Sequence, residues 1–144
     1  MTTEAWTGTY ESLPLGAAES SSQLVDGAAI DAFAGAIQSF NPIHMDGDWA
    51  RANTPFPDRI AHGVMTTALM SRPLVQFCER YKIRTALLST SSKYIRPVIA
   101  GDTITTVIRL VEKIDERKRI RFEIESTNQH GDVVMVGEML EQAL

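Results

Sequence analysis

The sequence predicts an α+β fold in which one antiparallel sheet curls around one long helix, and three observations carry that prediction. Apolar residues recur at helical spacing in the N-terminal half, they alternate with polar ones in the C-terminal half, and turn signals separate the alternating runs. A chain of 144 residues and 15.9 kDa holds one hydrophobic core and is too short for two ordinary domains.

The first sixteen residues carry little periodicity and read as irregular. A short strand is expected near Ser21 to Val25, followed by a helix over Gly27 to Ile37. Ile30, Phe33, Ala34 and Ile37 recur there at helical spacing, and Asp26 stands where an N-cap belongs. From Gln38 to Arg59 the pairs Asn41-Pro42 and Asp46-Gly47, with Pro55 and Pro57, break any long element into an excursion with one helical turn around Trp49 to Ala52. Excursions of that length tend to carry function. Between Gly63 and Tyr81 a nearly two-sided apolar pattern, including Val64, Met65, Ala68, Leu69, Leu74, Val75 and Cys78, predicts the central helix, with Pro73 bending it or ending its first segment.

The period then changes to two. Ile104, Thr106, Ile108 and Leu110 occupy alternate positions, as do Ile120, Phe122 and Ile124. Reversals at Gly101-Asp102, Asp115 to Lys118 and His130-Gly131-Asp132 divide this half into strands near Ala86 to Arg96, Thr103 to Ile114, Arg119 to Asn128 and Val133 to Gln142. Such a meander leaves sheet edges, and a second copy of the chain would protect them, so a homodimer is expected.

Charge and cysteine usage narrow the function classes. Eighteen acidic residues against 14 Lys and Arg give a net charge of −4 with no local basic stripe, which argues against nucleic acid as a partner. The one cysteine, Cys78, has no partner within the chain for a disulfide or a CxxC motif, so a reducing compartment fits. Met1 to Gly16 lack the pattern of a signal peptide, and no apolar run approaches the ~18 residues of a membrane span. A cytoplasmic protein without membrane contact is the expectation.

The polar chemistry concentrates in Gln38 to Asp46 and Thr54 to Gly63. His44 ends a proline-stiffened stretch and titrates near neutrality, which suits a general acid or base; the competing reading is a structural histidine. Gly63 stands at the entrance of the central helix, where unpaired amides point outward and a carbonyl oxygen can dock. The same glycine also suits simple helix entry or tight packing. His44 and Asp46, with His62 as a remote third, form too sparse a set to predict a metal site. Met65, Met70 and Met135 read as core or tunnel-wall residues, His130 as a solvated turn residue, and neither a phosphate-binding Gly-rich loop nor a GxSxG elbow is present.

Three motifs in order, Phe40-Asn41-Pro42-Ile43-His44-Met45-Asp46, Arg59-Ile60-Ala61-His62-Gly63, and Arg96-Pro97-Val98 with Gly101-Asp102-Thr103, resemble the MaoC-like dehydratases, which include the R-specific enoyl-CoA hydratases. The likeness runs from about Ser21 to the C-terminus and implies a single hot-dog domain over residues 1–144. It also implies reversible addition of water across the 2,3 double bond of an acyl thioester, usually of coenzyme A, with no metal or cofactor beyond the substrate's own carrier. By the same resemblance His44 matches the catalytic histidine, Gly63 the glycine whose amide contacts the thioester carbonyl, and Asn41 the asparagine that helps hold the loop. Val64 adjoins Gly63 on the expected substrate side, and Phe56 or Phe40 is a candidate wall of an acyl tunnel.

One departure stands out: the family carries Gly-Asp where this chain has Gln38-Ser39, so Ser39 takes the position of the catalytic aspartate. A serine hydroxyl can hydrogen-bond a water but, with no neighbouring base, cannot accept its proton as a carboxylate does. Asp46 and Asp48 would replace that acid only if the loop folds them inward. The leading expectation is a hydratase or dehydratase in which His44 handles the proton and Ser39 with Asn41 orders water. The alternatives are an acyl-thioester-binding protein without hydratase chemistry, and a thioesterase argued from fold analogy alone.

Overall fold

The computed structural model describes residues 5–144, which form a five-stranded antiparallel sheet packed on a broken helix. In chain order the elements are β1 (Ala18–Val25), α1 (Gly27–Ile37), α2 (Pro42–Met45), α3 (Gly47–Asn53), α4 (Gly63–Ala68), α5 (Ser71–Tyr81), β2 (Thr85–Tyr94), β3 (Asp102–Ile114), β4 (Arg119–Thr127) and β5 (Val133–Ala143). The strands lie in the order β1-β3-β4-β5-β2, so consecutive hairpins build the centre while β1 and β2 form the edges. The meander expected from the alternating pattern is therefore present, with β1 beginning three residues earlier than predicted and β2 ending at Tyr94.

Alternation explains the core. Ile104, Ile108 and Leu110 of β3, Ile120, Phe122 and Ile124 of β4, and Met135 and Met139 of β5 are buried, each burial contributing roughly 1.5–3 kcal/mol. Thr106 and Ser126 are buried among them, and their hydroxyls pair at 2.9 Å, which removes the penalty of unpaired polar atoms. Phe77 of α5 meets Phe122 edge-on at 5.0 Å between centroids and so locks the helix to the sheet. Of the sixteen opening residues expected to be irregular, 1–4 lie outside the described residues; residues 5–16 are irregular apart from a 3₁₀ turn at Tyr10–Ser12, yet Tyr10 and Leu13 are buried in the same core.

Two elements differ from expectation. The central helix is two helices, α4 and α5, and the break falls at Leu69-Met70 rather than at Pro73. Pro73 sits in the first turn of α5, where its missing N–H would be unpaired in any case, so the interruption precedes the proline. The excursion contains two short helices instead of one turn. Asn41 caps α2 by accepting from the Ile43 N–H at 3.2 Å, and Asp46 caps α3 by accepting from the Trp49 N–H at 3.0 Å.

Candidate functional site

A strap over residues 58–62 carries the site. It is pinned on one side by Ile60 N–H donating to the Ile43 carbonyl at 3.1 Å, and on the other by Ala61 N–H donating to the Val98 carbonyl at 2.8 Å. Ala100 N–H donates to the Arg59 carbonyl at 3.0 Å, and Ile60 bridges Ile99. The Arg96 to Asp102 motif therefore acts as the outer rail of the strap. Its tight turn is closed by Asp102, which accepts from Ile99 N–H at 2.9 Å, and by Gly101, whose φ of +102° few other residues adopt.

Arg59 ties this strap to the preceding helices. Its guanidinium pairs with Asp31 of α1 at 2.6 Å and donates to the carbonyls of His44 and Met45 at 3.3 and 3.4 Å, groups the end of α2 would otherwise leave unpaired. A Cβ at Gly27 would come up against this guanidinium, which would then have to shift.

The strap brings His44 and His62 into a stack, with ring centroids 3.9 Å apart and planes inclined by 27°. The His44 Nδ1–H donates to the Ile60 carbonyl at 2.8 Å; because a carbonyl only accepts, the proton belongs on Nδ1 and Nε2 keeps a free lone pair. His62 Nε2–H donates to the Ser39 carbonyl at 3.0 Å, which leaves its Nδ1 unprotonated, buried and without a hydrogen-bond partner among the described residues. Burial pushes the His44 pKa below the ordinary histidine value; the bond to Ile60 opposes that shift and the neighbouring His62 adds to it. The lowered pKa favours the neutral form of His44, whose Nε2 can then accept a proton.

Gly63 follows directly and opens α4. The His62 carbonyl takes the N–H groups of Met65 and Thr66, while those of Gly63 and Val64 have no protein acceptor among the described residues. His44 and Gly63 line one cleft of about 300 Å³ together with Phe56, Thr66, Tyr94 and Arg96. The Tyr94 ring lies against Gly63, where a Cβ would come within 3.3 Å of it, and the Tyr94 and Thr67 hydroxyls pair at 2.6 Å. A residue with a free amide donor, a histidine with an unengaged ring nitrogen and an apolar wall thus line one space, a combination suited to polarising a carbonyl while moving a proton nearby.

The remaining candidates fall outside that wall. Ser39 is half-buried and engages His62 through its backbone carbonyl. Asn41 is exposed and caps α2, the loop-holding role expected of it. The Val64 side chain is 58% exposed and Phe40 is also exposed, so of the two phenylalanines it is Phe56 that lines the cleft. Asp46 and Asp48 do not fold inward: the first caps α3 and the second pairs with Arg51 on the surface. Among the described residues no three His, Cys, Asp or Glu side chains gather as a metal site. Sequence reasoning missed the part played by His62, for which the only signal was its place beside Gly63, and it missed Tyr94 as a cleft wall.

A family model described as a MaoC-like domain matches residues 17–131. The chain is 33% identical over 139 residues to a 3-hydroxybutyryl-CoA dehydratase of Methylorubrum extorquens, covering 91% of this chain and 81% of that protein. It is 31% identical over 130 residues to an (R)-specific enoyl-CoA hydratase of Rhodospirillum rubrum, covering 90% and 87%. Among solved structures, the (R)-hydratase of A. caviae involved in PHA biosynthesis superposes with a TM-score of 0.83 at 27% identity, over 92% of this chain and 98% of that one.

Proposed function

Since this chain belongs to the MaoC-like domain family, we propose that it adds water to, or removes it from, the 2,3 position of an acyl thioester carried by coenzyme A. One observation carries the reading: His44, whose Nε2 is left free by the Nδ1 bond to Ile60, and Gly63, whose amide has no acceptor among the described residues, line the same cleft. In hydration, His44 Nε2 takes a proton from water as the water oxygen bonds to C3. The 2,3 π electrons move toward the thioester oxygen, which accepts a hydrogen bond from Gly63 N–H, and the imidazolium then returns its proton to C2. The reverse sequence expels water, and neither direction calls on a cofactor. Arg96 at the cleft supplies a cation suited to the phosphates of coenzyme A.

The test is direct: a short enoyl-CoA such as crotonyl-CoA will lose its conjugated absorbance in the presence of the protein, and His44→Ala will remove that activity. A second reading, thioester binding without turnover, draws on Ser39, because the cleft wall contains no carboxylate. Saturable acyl-CoA binding by a wild-type chain that hydrates nothing, with hydration gained in Ser39→Asp, would establish it.

The active form in this proposal is a homodimer joined along β2. That strand pairs with β5 on one side alone, exposes both faces, and carries exposed Leu87, Leu88 and Tyr94 beside exposed Val64 and Val75 of the helices. Tyr94, Ile95 and Arg96 also line the cleft, so a second copy at this edge would close its open side. Light scattering at micromolar concentration will report twice the chain mass. No helix among the described residues is long and apolar enough to cross a membrane, and the buried free thiol of Cys78 suits the reducing cytoplasm proposed here as its location.

A further inference from the structure

The helix that carries His44, α2, is a single turn of four residues, too short to keep its shape by its own hydrogen bonds. Its carbonyls show what holds it. Pro42 accepts from Asp46 N–H at 2.9 Å within the turn, and Ile43 accepts from Ile60 N–H on the strap. The His44 and Met45 carbonyls are met by one nitrogen, Arg59 Nη1, at 3.3 and 3.4 Å. That nitrogen has two hydrogens: one serves Asp31 Oδ1 at 2.6 Å, and the other is shared between the two carbonyls.

Two consecutive residues of the strap therefore hold His44 by its ring and by its backbone. The Ile60 carbonyl accepts from His44 Nδ1–H at 2.8 Å, and the Arg59 guanidinium donates to the carbonyl of the same histidine. The Arg59 side chain is 15% exposed, so water competes little for its hydrogens. Its backbone is engaged separately: the carbonyl accepts from Ala100 N–H at 3.0 Å and the N–H donates to the Asp58 carboxylate at 2.7 Å. A substitution at position 59 thus removes the guanidinium and leaves the strap's backbone bonds in place.

We infer that Arg59, braced by Asp31 of α1, is a positioning residue for His44: it fixes the end of α2 so that the imidazole keeps its bond to Ile60 and its Nε2 stays free for the reacting water. The inference rests on the hydratase reading above. Arg59 does not line the cleft, so it acts through His44 and not on the substrate. Small displacements of a catalytic group are costly, a misplacement of about 1 Å being enough to lower a rate by about 10²-fold.

Two readouts test it, one of them independent of turnover. Long-range proton–nitrogen NMR at about pH 8, where ordinary imidazoles are neutral, reads the ring tautomers of a chain with three histidines. In the wild type His44 will be a single Nδ1–H form. In Arg59→Met it will become a mixture of both tautomers, while His62, tied to the Ser39 carbonyl, keeps its Nε2–H. With crotonyl-CoA the same variant will lose about 10- to 100-fold in kcat, with KM held within about twofold. Asp31→Asn weakens the charge-assisted bond and will lower kcat about three- to tenfold with a detectable second His44 tautomer. The double variant will be no slower than Arg59→Met. A single His44 tautomer in Arg59→Met, a kcat within about twofold of wild type, a loss confined to KM, or losses that multiply in the double variant would each overturn the inference. If circular dichroism shows that Arg59→Met does not fold, Asp31→Asn decides by the same two readouts, and its overturning result is an unchanged kcat with a single His44 tautomer. A wild type that does not hydrate crotonyl-CoA would refute the hydratase reading, and the tautomers of wild type and variants would still decide what Arg59 does.

Discussion

His44 and His62 lie in one stack, each spending one N–H on a backbone carbonyl, yet they face different worlds. His44 is half-buried and lines the cleft, whereas His62 is 4% exposed and its spare nitrogen is buried without a partner among the described residues. The same imidazole chemistry is thus available to substrate in one ring and withheld in the other. Because the rings are in contact, charge on His62 would oppose charge on His44, so the buried ring both sets the tilt of its neighbour and favours its neutral form.

The largest separation between the two comes from alanine at the outer ring. His44→Ala will lower kcat for enoyl-CoA hydration by ~10²–10⁴-fold while leaving the circular dichroism spectrum unchanged, as expected of a general acid–base residue on a preserved scaffold. Ser39→Asp acts in the opposite direction, placing a carboxylate on the residue whose carbonyl holds His62, and will raise kcat by ~10²-fold in the same assay. A gain confined to KM would show that position 39 does not reach the reacting water.

Replacing the inner ring is milder for chemistry and worse for folding. His62→Phe keeps the stack but leaves the Ser39 carbonyl without its donor, so urea unfolding will show a loss of about 1–3 kcal/mol and kcat will fall less than in His44→Ala. The smallest effect is in pH dependence. Since the folded His44 pKa lies below its ordinary value, the acid limb of kcat/KM will fall below the usual histidine midpoint of about 6.5, and His62→Phe will move it upward. Linkage has the same sign: below about pH 6.5 the unfolded chain protonates His44 before the folded one does. Stability therefore drops as pH falls through that window and levels off once the folded chain is also protonated.

How far these features can be read in sequence depends on the range of the interactions that make them. Strands β3, β4 and β5 are legible because alternation is local, and the Asp26 cap is legible because its bond spans three residues: Ala29 N–H donates to its carboxylate at 2.9 Å. The break at Leu69-Met70 is not, since neither residue is a breaker and the signal displaced attention to Pro73. The short helices α2 and α3 hide among prolines and aspartates that read as loop, although Asn41 and Asp46 turn out to be their caps. His44 and Gly63 stood out by type and position. The role of His62 did not, because a stack between residues eighteen apart exists only once the strap is pinned by Ile43 and Val98.

A crystal structure with butyryl-CoA, a saturated thioester that cannot be hydrated, tests the central claim most directly. The account predicts the thioester oxygen about 2.7–3.1 Å from the Gly63 nitrogen, with C3 facing His44 Nε2. A thioester carbonyl bound away from Gly63, or an imidazole turned so that Nε2 points out of the cleft, would contradict it.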